Sequence, residues 1–232
     1  MIFIVRSKTI IALFSGIILC LLLAHIAGQL SVYYFGFNSD ARLVRLFDLD
    51  SEGNIPTLFS SIILLAASFL FAAIACAKKT SADPYFFHWT GLAVVFLYLC
   101  ADEALAFHEI LIRPLRPLLG AWGAFHFTWV IPYGIGLVIL SLLCLKFLMH
   151  LPRKTRRSLI LAAVIYVSGA LSLEMLSGPF VKWYGTRRNI TVAVLSTFEE
   201  LFEMIGVVVL IAALLAYIEN SGSGEARIKF VS

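Results

Sequence analysis

Six long apolar runs, separated by short polar stretches, organise the chain. A helix needs roughly 20 mostly apolar residues to cross a bilayer, and each run is long enough to do so. The pattern therefore predicts an all-α polytopic membrane protein, a bundle of six transmembrane helices. We expect a single transmembrane domain over residues 1–220 and a flexible tail at 221–232, with helices near 9–33, 57–77, 87–112, 127–149, 158–177 and 191–217.

The composition excludes several classes of protein. Hydrophobic residues make up 61% of the 232 residues and charged residues 14%, against roughly 45–50% and about 25% in soluble domains. A soluble enzyme, a disordered chain, a disulfide-rich secreted domain and an ordinary nucleic-acid binder are therefore not expected. The four cysteines lie inside apolar runs without a C-x-x-C pair, which favours a packing role. The lipid bilayer is the expected partner, and no nucleic acid is.

Lysine and arginine predict the orientation. Eleven of these residues fall on one side of the predicted helices and seven on the other. Cytoplasmic loops carry the excess of positive charge, so both termini are predicted to be cytoplasmic. The longest outer loop, 34–56, contains the short amphipathic stretch 41–47, which fits an interfacial helix or a partly buried loop equally well. Asn54 and Pro56 predict the start of the second helix.

The acidic residues gather in one half of the membrane. Eleven of the fourteen fall on the predicted outer side or in the outer halves of helices. Helix geometry places Glu103 roughly 15 Å and Glu203 roughly 18 Å deep, where charged groups usually pair or face a wet cavity. Four helices are therefore predicted to bring together Asp102, Glu103, His108, Glu109, His126, Glu174, Glu199, Glu200 and Glu203.

This set of carboxylates and imidazoles suggests a divalent metal site for Zn, Fe or Mn. Glu103 is the expected general acid or base, although no Glu-x-x-His or H-E-x-x-H spacing supports the metal. The expected ligands are His108, His126, Glu174, Glu199 and Glu203. The expected supporting or ion-pairing residues are Asp102, Glu109, Arg113 and Glu200.

Structural roles compete with these assignments. Glu109 precedes Arg113 by four residues, the favoured order for a salt bridge within a helix. Ser196-x-x-Glu199 fits a capping box if the last helix starts near residue 196. On a continuous third helix, Asp102 and Glu109 would share one face, while Glu103 and His108 would point to either side of it.

Three functions remain open. The favoured one is a membrane-embedded, metal-dependent enzyme acting on a lipid or another hydrophobic small-molecule substrate. Crowded carboxylates also fit a proton relay in a small proton- or cation-coupled transporter. Finally, pairing of the acids with arginines would indicate a membrane scaffold or assembly factor. Sequence patterns of serine hydrolases, P-loop nucleotide sites and dinucleotide sites are absent.

Four stretches resemble a group of bacterial multipass inner-membrane proteins with no assigned activity. They are FDLDSEGNIPTLFSS, DEALAFHE, LSLEMLSG and FEELFEMIG, and they extend over the second to sixth predicted helices. The resemblance implies a bacterial inner membrane and a multipass fold. It does not indicate a substrate.

Overall fold

The computed structural model describes residues 7–119, 123–187 and 189–221. The predicted tail, apart from Ser221, lies outside these residues. Within them the chain is all-α, as predicted. The helices are α1 (Ser7–Phe35), α2 (Arg42–Phe47), α3 (Ile55–Thr80), α4 (Phe86–Leu105), α5 (Phe107–Leu119), α6 (Val130–His150), α7 (Arg153–Val167), α8 (Glu174–Tyr184) and α9 (Ile190–Asn220), with a 3₁₀ turn at Gly123–Phe125 and a π turn at Ser168–Leu173.

Five helical segments of the described chain are long and apolar enough to cross a membrane, or six if α4 and α5 form one bent span. The five are α1, α3, α6, the continuous stretch from α7 to α8, and α9. By helix length and composition, the protein is therefore a multipass membrane protein. A hydrogen bond between Ser7 and Glu219 places the start of α1 and the end of α9 at the same end of the bundle. Which side is cytoplasmic stays a prediction.

Two asparagines fix the starts of the long helices α3 and α9. The Asn54 side chain accepts a hydrogen bond from the Thr57 amide at 3.1 Å, as the sequence predicted for the start of α3. The Asn189 side chain does the same for Val192 at 3.0 Å, satisfying an amide that the helix cannot pair. Because α9 starts at Ile190, Ser196 lies inside it and the capping-box interpretation of Glu199 is wrong.

The two ends of the bundle differ in charge. We call the end where α3 and α9 begin the acidic end, because the loop before α3 carries Asp50 and Glu52. The opposite end, where α3 finishes with Lys78 and α7 starts at Arg153, is the basic end. Between them lies a continuous apolar core built mainly from α3, α4 and α9, with α1 and α7 packed against it.

Helix α6 is attached at its two ends only. At the basic end, the fully buried Phe147 packs edge-on against Trp89 of α4, with ring centroids 4.9 Å apart. At the acidic end, Trp129 and Val130 pack with Val181 of α8. Elsewhere along α6, none of the other described helices packs closely, and most of its apolar side chains are exposed.

The predicted third helix is not continuous. It breaks at Ala106, whose φ of 50° and ψ of 44° place it in the left-handed region, and α4 and α5 meet there at a bend of 81°. A left-handed non-glycine residue costs roughly 1–2 kcal/mol, which the contacts described below offset. The prediction of one continuous helix over 87–112 is therefore wrong, and so are the directions derived from it for His108 and Glu109 relative to Asp102.

Candidate functional site

An aspartate holds the break between α4 and α5 together. The Asp102 carboxylate, on the last turn of α4, accepts a hydrogen bond from the His108 backbone amide at 2.9 Å. This amide lies in the first turn of α5, where no helical carbonyl is available. The same carboxylate accepts a hydrogen bond from the Tyr133 hydroxyl of α6 at 2.8 Å. Asp102 therefore joins three helices at one point.

Asp102 also orients the imidazole of His108. Its Oδ2 lies 3.2 Å from His108 Nδ1, and because an ionised carboxylate only accepts hydrogen bonds, Nδ1 carries the proton. The other ring nitrogen, Nε2, lies 3.9 Å from a carboxylate oxygen of Glu52. His108 therefore presents Nε2 on the side away from its buried anchor, as an oriented base does.

Two tyrosines and a tryptophan extend this network. Tyr133 donates to Asp102, so the neighbouring Tyr98 hydroxyl, 2.7 Å away, donates to Tyr133. The Trp129 ring lies 5.0 Å from the His108 ring, and its indole N–H donates to Glu174 at 3.3 Å. Trp129 thus connects the aspartate–histidine pair to the carboxylates of α8 and α9.

Glu174 and Glu199 form a buried pair of carboxyl groups. Glu174 is 7% exposed and Glu199 9% exposed, and the two carboxyl groups are close enough to interact electrostatically. The Glu199 Oε2 atom is buried and has no hydrogen-bond partner among the described residues. Two carboxyl groups this close in a low-dielectric site need a shared proton or a cation between them.

The π turn brings α7 against α9 beside these carboxylates. A Cβ atom on Gly169 would lie 2.6 Å from the Glu199 carbonyl oxygen and 3.1 Å from the Glu203 side chain. Only glycine allows this approach. Glu203 in turn lies within reach of the Tyr166 hydroxyl on α7, and π turns are frequent at functional sites.

A folded loop brings two more acids to the site. His25 of α1 contacts this loop through Nδ1, 3.0 Å from the Leu49 amide, and contacts Thr197 of α9 through Nε2 at 2.9 Å. Gln29 donates to Asp48 at 3.0 Å. These contacts fix the loop over the acidic end.

The loop acids have opposite electrostatic environments. Burial acts to raise the pKa of Asp48, but the nearby His25 imidazole and a hydrogen bond from Ser51 outweigh it and hold that pKa below its usual value. Partial desolvation beside the cavity raises the pKa of Asp50, and the nearby charge of Arg187 offsets only part of this rise. Partial desolvation likewise raises the pKa of Glu52, and His108 offsets part of this rise when it is protonated.

These groups line one cavity of about 1010 Å³. Its polar part contains nine carboxyl groups, one arginine and one histidine. The rest is apolar, lined by α4, α6, α7 and α9. The acidic and basic lining residues are Asp50, Glu52, Asp102, Glu103, His108, Glu109, Glu174, Arg187, Glu199, Glu200 and Glu203.

Most of the predicted site residues therefore come together, but His126 and Arg113 do not line the cavity. His126 lies against Phe127, with ring centroids 4.9 Å apart. Burial, with the charges of Arg116, Arg187 and Lys182, lowers its pKa. Glu109 pairs with Arg187 at 3.5 Å, whereas its spacing in the sequence also allowed a salt bridge with Arg113.

The structure adds cavity residues that the sequence interpretation missed. They are Asp50, Glu52, Tyr98, Trp129 and Tyr133. Glu52, directly before α3, was the single hint. Among the residues that the structure describes, no group of three or more His, Cys, Asp or Glu side chains is arranged to hold a metal ion. The divalent metal stays a prediction that this geometry does not support.

No curated protein and no solved structure matches the chain significantly. A family profile does match, over residues 12–218, which include every residue of the cavity. The chain therefore belongs to the family described as Domain of unknown function (DUF8692).

Proposed function

We propose that the protein is a membrane-embedded enzyme that binds an amphipathic, lipid-like substrate and moves a proton on its polar head. One observation supports this most directly: a single cavity joins an apolar cleft between helices to a cluster of ionisable side chains. An amphipathic molecule is the ligand whose two parts match these two environments. Small-molecule sites are typically apolar concavities with a few convergent polar groups.

The apolar part of the cavity has the size of a lipid chain. The whole cavity, with its polar part, has a volume of about 1010 Å³, at the upper end of the roughly 300–1,000 Å³ typical of ligand pockets. Its lining on α6 runs from Pro132 to Leu148, which is roughly 24 Å along a helix. One leaflet of the hydrocarbon core is about 15 Å thick, half of about 30 Å, so a full-length lipid chain fits.

The attachment of α6 provides access from the bilayer. Because α6 is held at Phe147 and around Trp129 but stands apart between them, the cleft beside it opens laterally. A hydrophobic substrate can then enter from the lipid without crossing water. The apolar side chains of α6, such as Leu137 and Leu140, line the path.

The Asp102–His108 pair supplies the proposed chemistry. Asp102 holds the Nδ1 proton of His108, so Nε2 is the nitrogen that takes a proton from the substrate head or from a water molecule. Glu103, the acid or base expected from the sequence, also lines the cavity, within reach of Ser60. We assign Glu103 the donation of its own carboxyl proton to a second atom of the substrate head. Transfer of a proton from His108 to Glu103 then restores both groups.

The two other functions receive less support. A scaffold sealed by ion pairs would match each carboxylate to its own arginine, yet Glu109–Arg187 is the single carboxylate–arginine contact within 4 Å among the residues described. A proton-coupled transporter would use the same carboxylates and would need no turnover of the bound molecule. Turnover is therefore the property to measure.

Two glycines of α6 allow a matched test of lipid binding. A Cβ on either Gly134 or Gly136 would meet nothing within 4 Å, but only Gly136 lines the cavity. We expect mass spectrometry of the detergent-purified protein to find a bound lipid in wild type and in Gly134→Trp, and to find it depleted in Gly136→Trp. Equal lipid content in the two variants would contradict the cavity as the binding site.

Turnover is tested in nanodiscs made from a total bacterial lipid extract. We expect wild type to convert one lipid class, and His108→Asn to retain the bound lipid without converting it. Retained lipid shows that the variant is folded. Binding without any change of lipid composition in wild type would contradict the enzyme and favour a carrier.

A further inference from the structure

We propose that the head of the bound amphipathic molecule is a protonated amine, held by the carboxyl pair Glu174–Glu199. This inference rests on the proposed function, because it names the chemical class of the molecule whose chain occupies the apolar cleft. Neither the family nor the fold indicates a head group.

The charge of the cavity selects against an anionic head. Nine carboxyl groups face Arg187 and His108. The guanidinium of Arg187 is already engaged, because it pairs with Glu109 at 3.5 Å and lies 4.5 Å from the centre of the Phe127 ring. A phosphate or carboxylate head would add negative charge to this cluster and would be repelled by every carboxylate in it that is ionised. A cation would instead balance them.

Glu199 carries the unused hydrogen-bonding capacity. Its Oε2 atom is buried without a partner, and its side chain lines the cavity. An unpaired buried polar atom costs about 1–3 kcal/mol, and more when it is charged. A bound ligand can donate the missing hydrogen bond to such an atom. Here the donor can come from the cavity, which the Glu199 side chain lines.

An ammonium group matches this arrangement. It offers three N–H donors and no acceptor, which suits a site whose unpartnered atom, Glu199 Oε2, is an oxygen. Glu174 lies beside Glu199 and already accepts one hydrogen bond, from Trp129. The Trp129 ring also lines the cavity, and an indole ring attracts cations by its electron-rich face. The carboxyl pair would thus hold the charge, and Trp129 would flank it.

Trp129 also reports on binding. Brominated alkyl chains quench tryptophan fluorescence on contact, so three brominated probes of equal chain length differ only in the head: an amine, an alcohol and a carboxylic acid. The full chain is reconstituted in nanodiscs of a zwitterionic lipid, and the signal of Trp129→Phe is subtracted. We expect the amine to quench at least tenfold more tightly than the alcohol, and the acid most weakly.

Substitution locates the amine site. Glu199→Gln keeps the size of the side chain and removes its charge, and we expect it to lower amine binding to the level of the alcohol while leaving alcohol binding unchanged. Retained alcohol binding also shows that the variant is folded. Glu109→Gln is the matched control: its carboxylate is 42% exposed and pairs with Arg187, so the preference for the amine should persist.

The outcomes separate the two proposals. Equal binding of amine and alcohol to wild type would overturn the amine site and leave the amphipathic substrate intact. A preference for amine that survives both Glu199→Gln and Glu174→Gln would also overturn it. Failure of all three probes to quench Trp129 would overturn the lipid-like substrate itself.

Discussion

Helices α9 and α6 are similarly apolar, yet they occupy opposite kinds of environment. Their most apolar 18-residue windows have mean hydropathies of 2.6 and 2.1, but 56% of the α9 window is buried inside the protein and only 17% of the α6 window. Helix α3 resembles α9, with a mean hydropathy of 2.4 and 56% of its window buried. Hydropathy therefore tells that a helix can enter a membrane. It does not tell whether protein, lipid or a cavity surrounds it.

We call the α9 side of the bundle the packed side and the α6 side the open side. The two sides should respond differently to truncation of a side chain, and this is the largest effect we expect. Leu214 of α9 is 0% exposed and Leu142 of α6 is 63% exposed. Leu214→Ala should lower the free energy of unfolding by about 2–5 kcal/mol, near the lower end because lipid is also apolar.

Leu142→Ala is the matched control and should change the free energy by less than about 0.5 kcal/mol. Unfolding in mixed micelles, followed by circular dichroism, measures both variants. Equal losses would show that α6 is packed as closely as α9.

Added volume should separate the two sides again, with a smaller effect. A Cβ on Gly206 of α9 would lie 2.7 Å from the Tyr166 backbone nitrogen of α7, whereas a Cβ on Gly134 of α6 meets nothing within 4 Å. Gly206→Ala should therefore cost about 1–3 kcal/mol. Gly134→Ala should be neutral or stabilising by up to about 1 kcal/mol, and thermal unfolding of the two variants compares them. A stabilised Gly206→Ala would refute the close approach of α7 and α9.

The smallest effect concerns two aspartates of the loop before α3: Asp48, on the packed side of the bundle, and Asp50, on the cavity side. Asp48 contacts α1 on the packed side, and its pKa in the folded protein is held low. Its ionised form therefore stabilises the fold above about pH 4, the pKa of aspartate in an unfolded chain. This stabilisation is lost as the pH falls through the lower pKa of the folded state. Asp50 faces the cavity with a raised pKa. Its contribution is complete below about pH 4 and is lost as pH rises through the folded pKa.

Near neutral pH, Asp48→Asn should therefore lower the melting temperature relative to wild type, and Asp50→Asn should raise it. The Asp50→Asn difference should shrink as the pH falls toward about 4. The Asp48→Asn difference should persist to about pH 4 and shrink only below it. Melting curves of the three proteins across this range provide the measurement. Shifts of the same sign in both variants would show that the two side chains share one environment.

The sequence predicted the helical fold well, because apolar runs of this length have few alternatives. It also predicted that Glu103, Glu174, Glu199 and Glu203 would meet, because carboxylates deep in a membrane span usually face a shared cavity or pair with one another. It missed the break at Ala106, because alanine favours a helix and neither glycine nor proline marks the position. The hydrogen bond from the His108 amide to Asp102 stabilises the break. Because this contact forms only when the chain folds, the residues around Ala106 do not reveal it.

The cavity could not be predicted from the sequence either, because it forms only when the helices pack together. Tyr133 and Trp129 have the spacing and composition of membrane-interface aromatics, and their hydrogen bonds to Asp102 and Glu174 depend on how α6 docks. His126 was placed in the cluster by depth alone. Depth along a helix does not determine the direction in which the side chain points.

The π turn at Ser168–Leu173 determines the rotational phase of everything that follows it on the same span. In an α-helix each residue advances the chain by about 100°, so removal of one residue from this turn would rotate α8 by that angle. Glu174 would then turn away from Glu199, and Ser177 and Val181, now buried, would turn with it. A single-residue deletion here would leave the length and hydropathy of the span almost unchanged while dismantling the acidic pair.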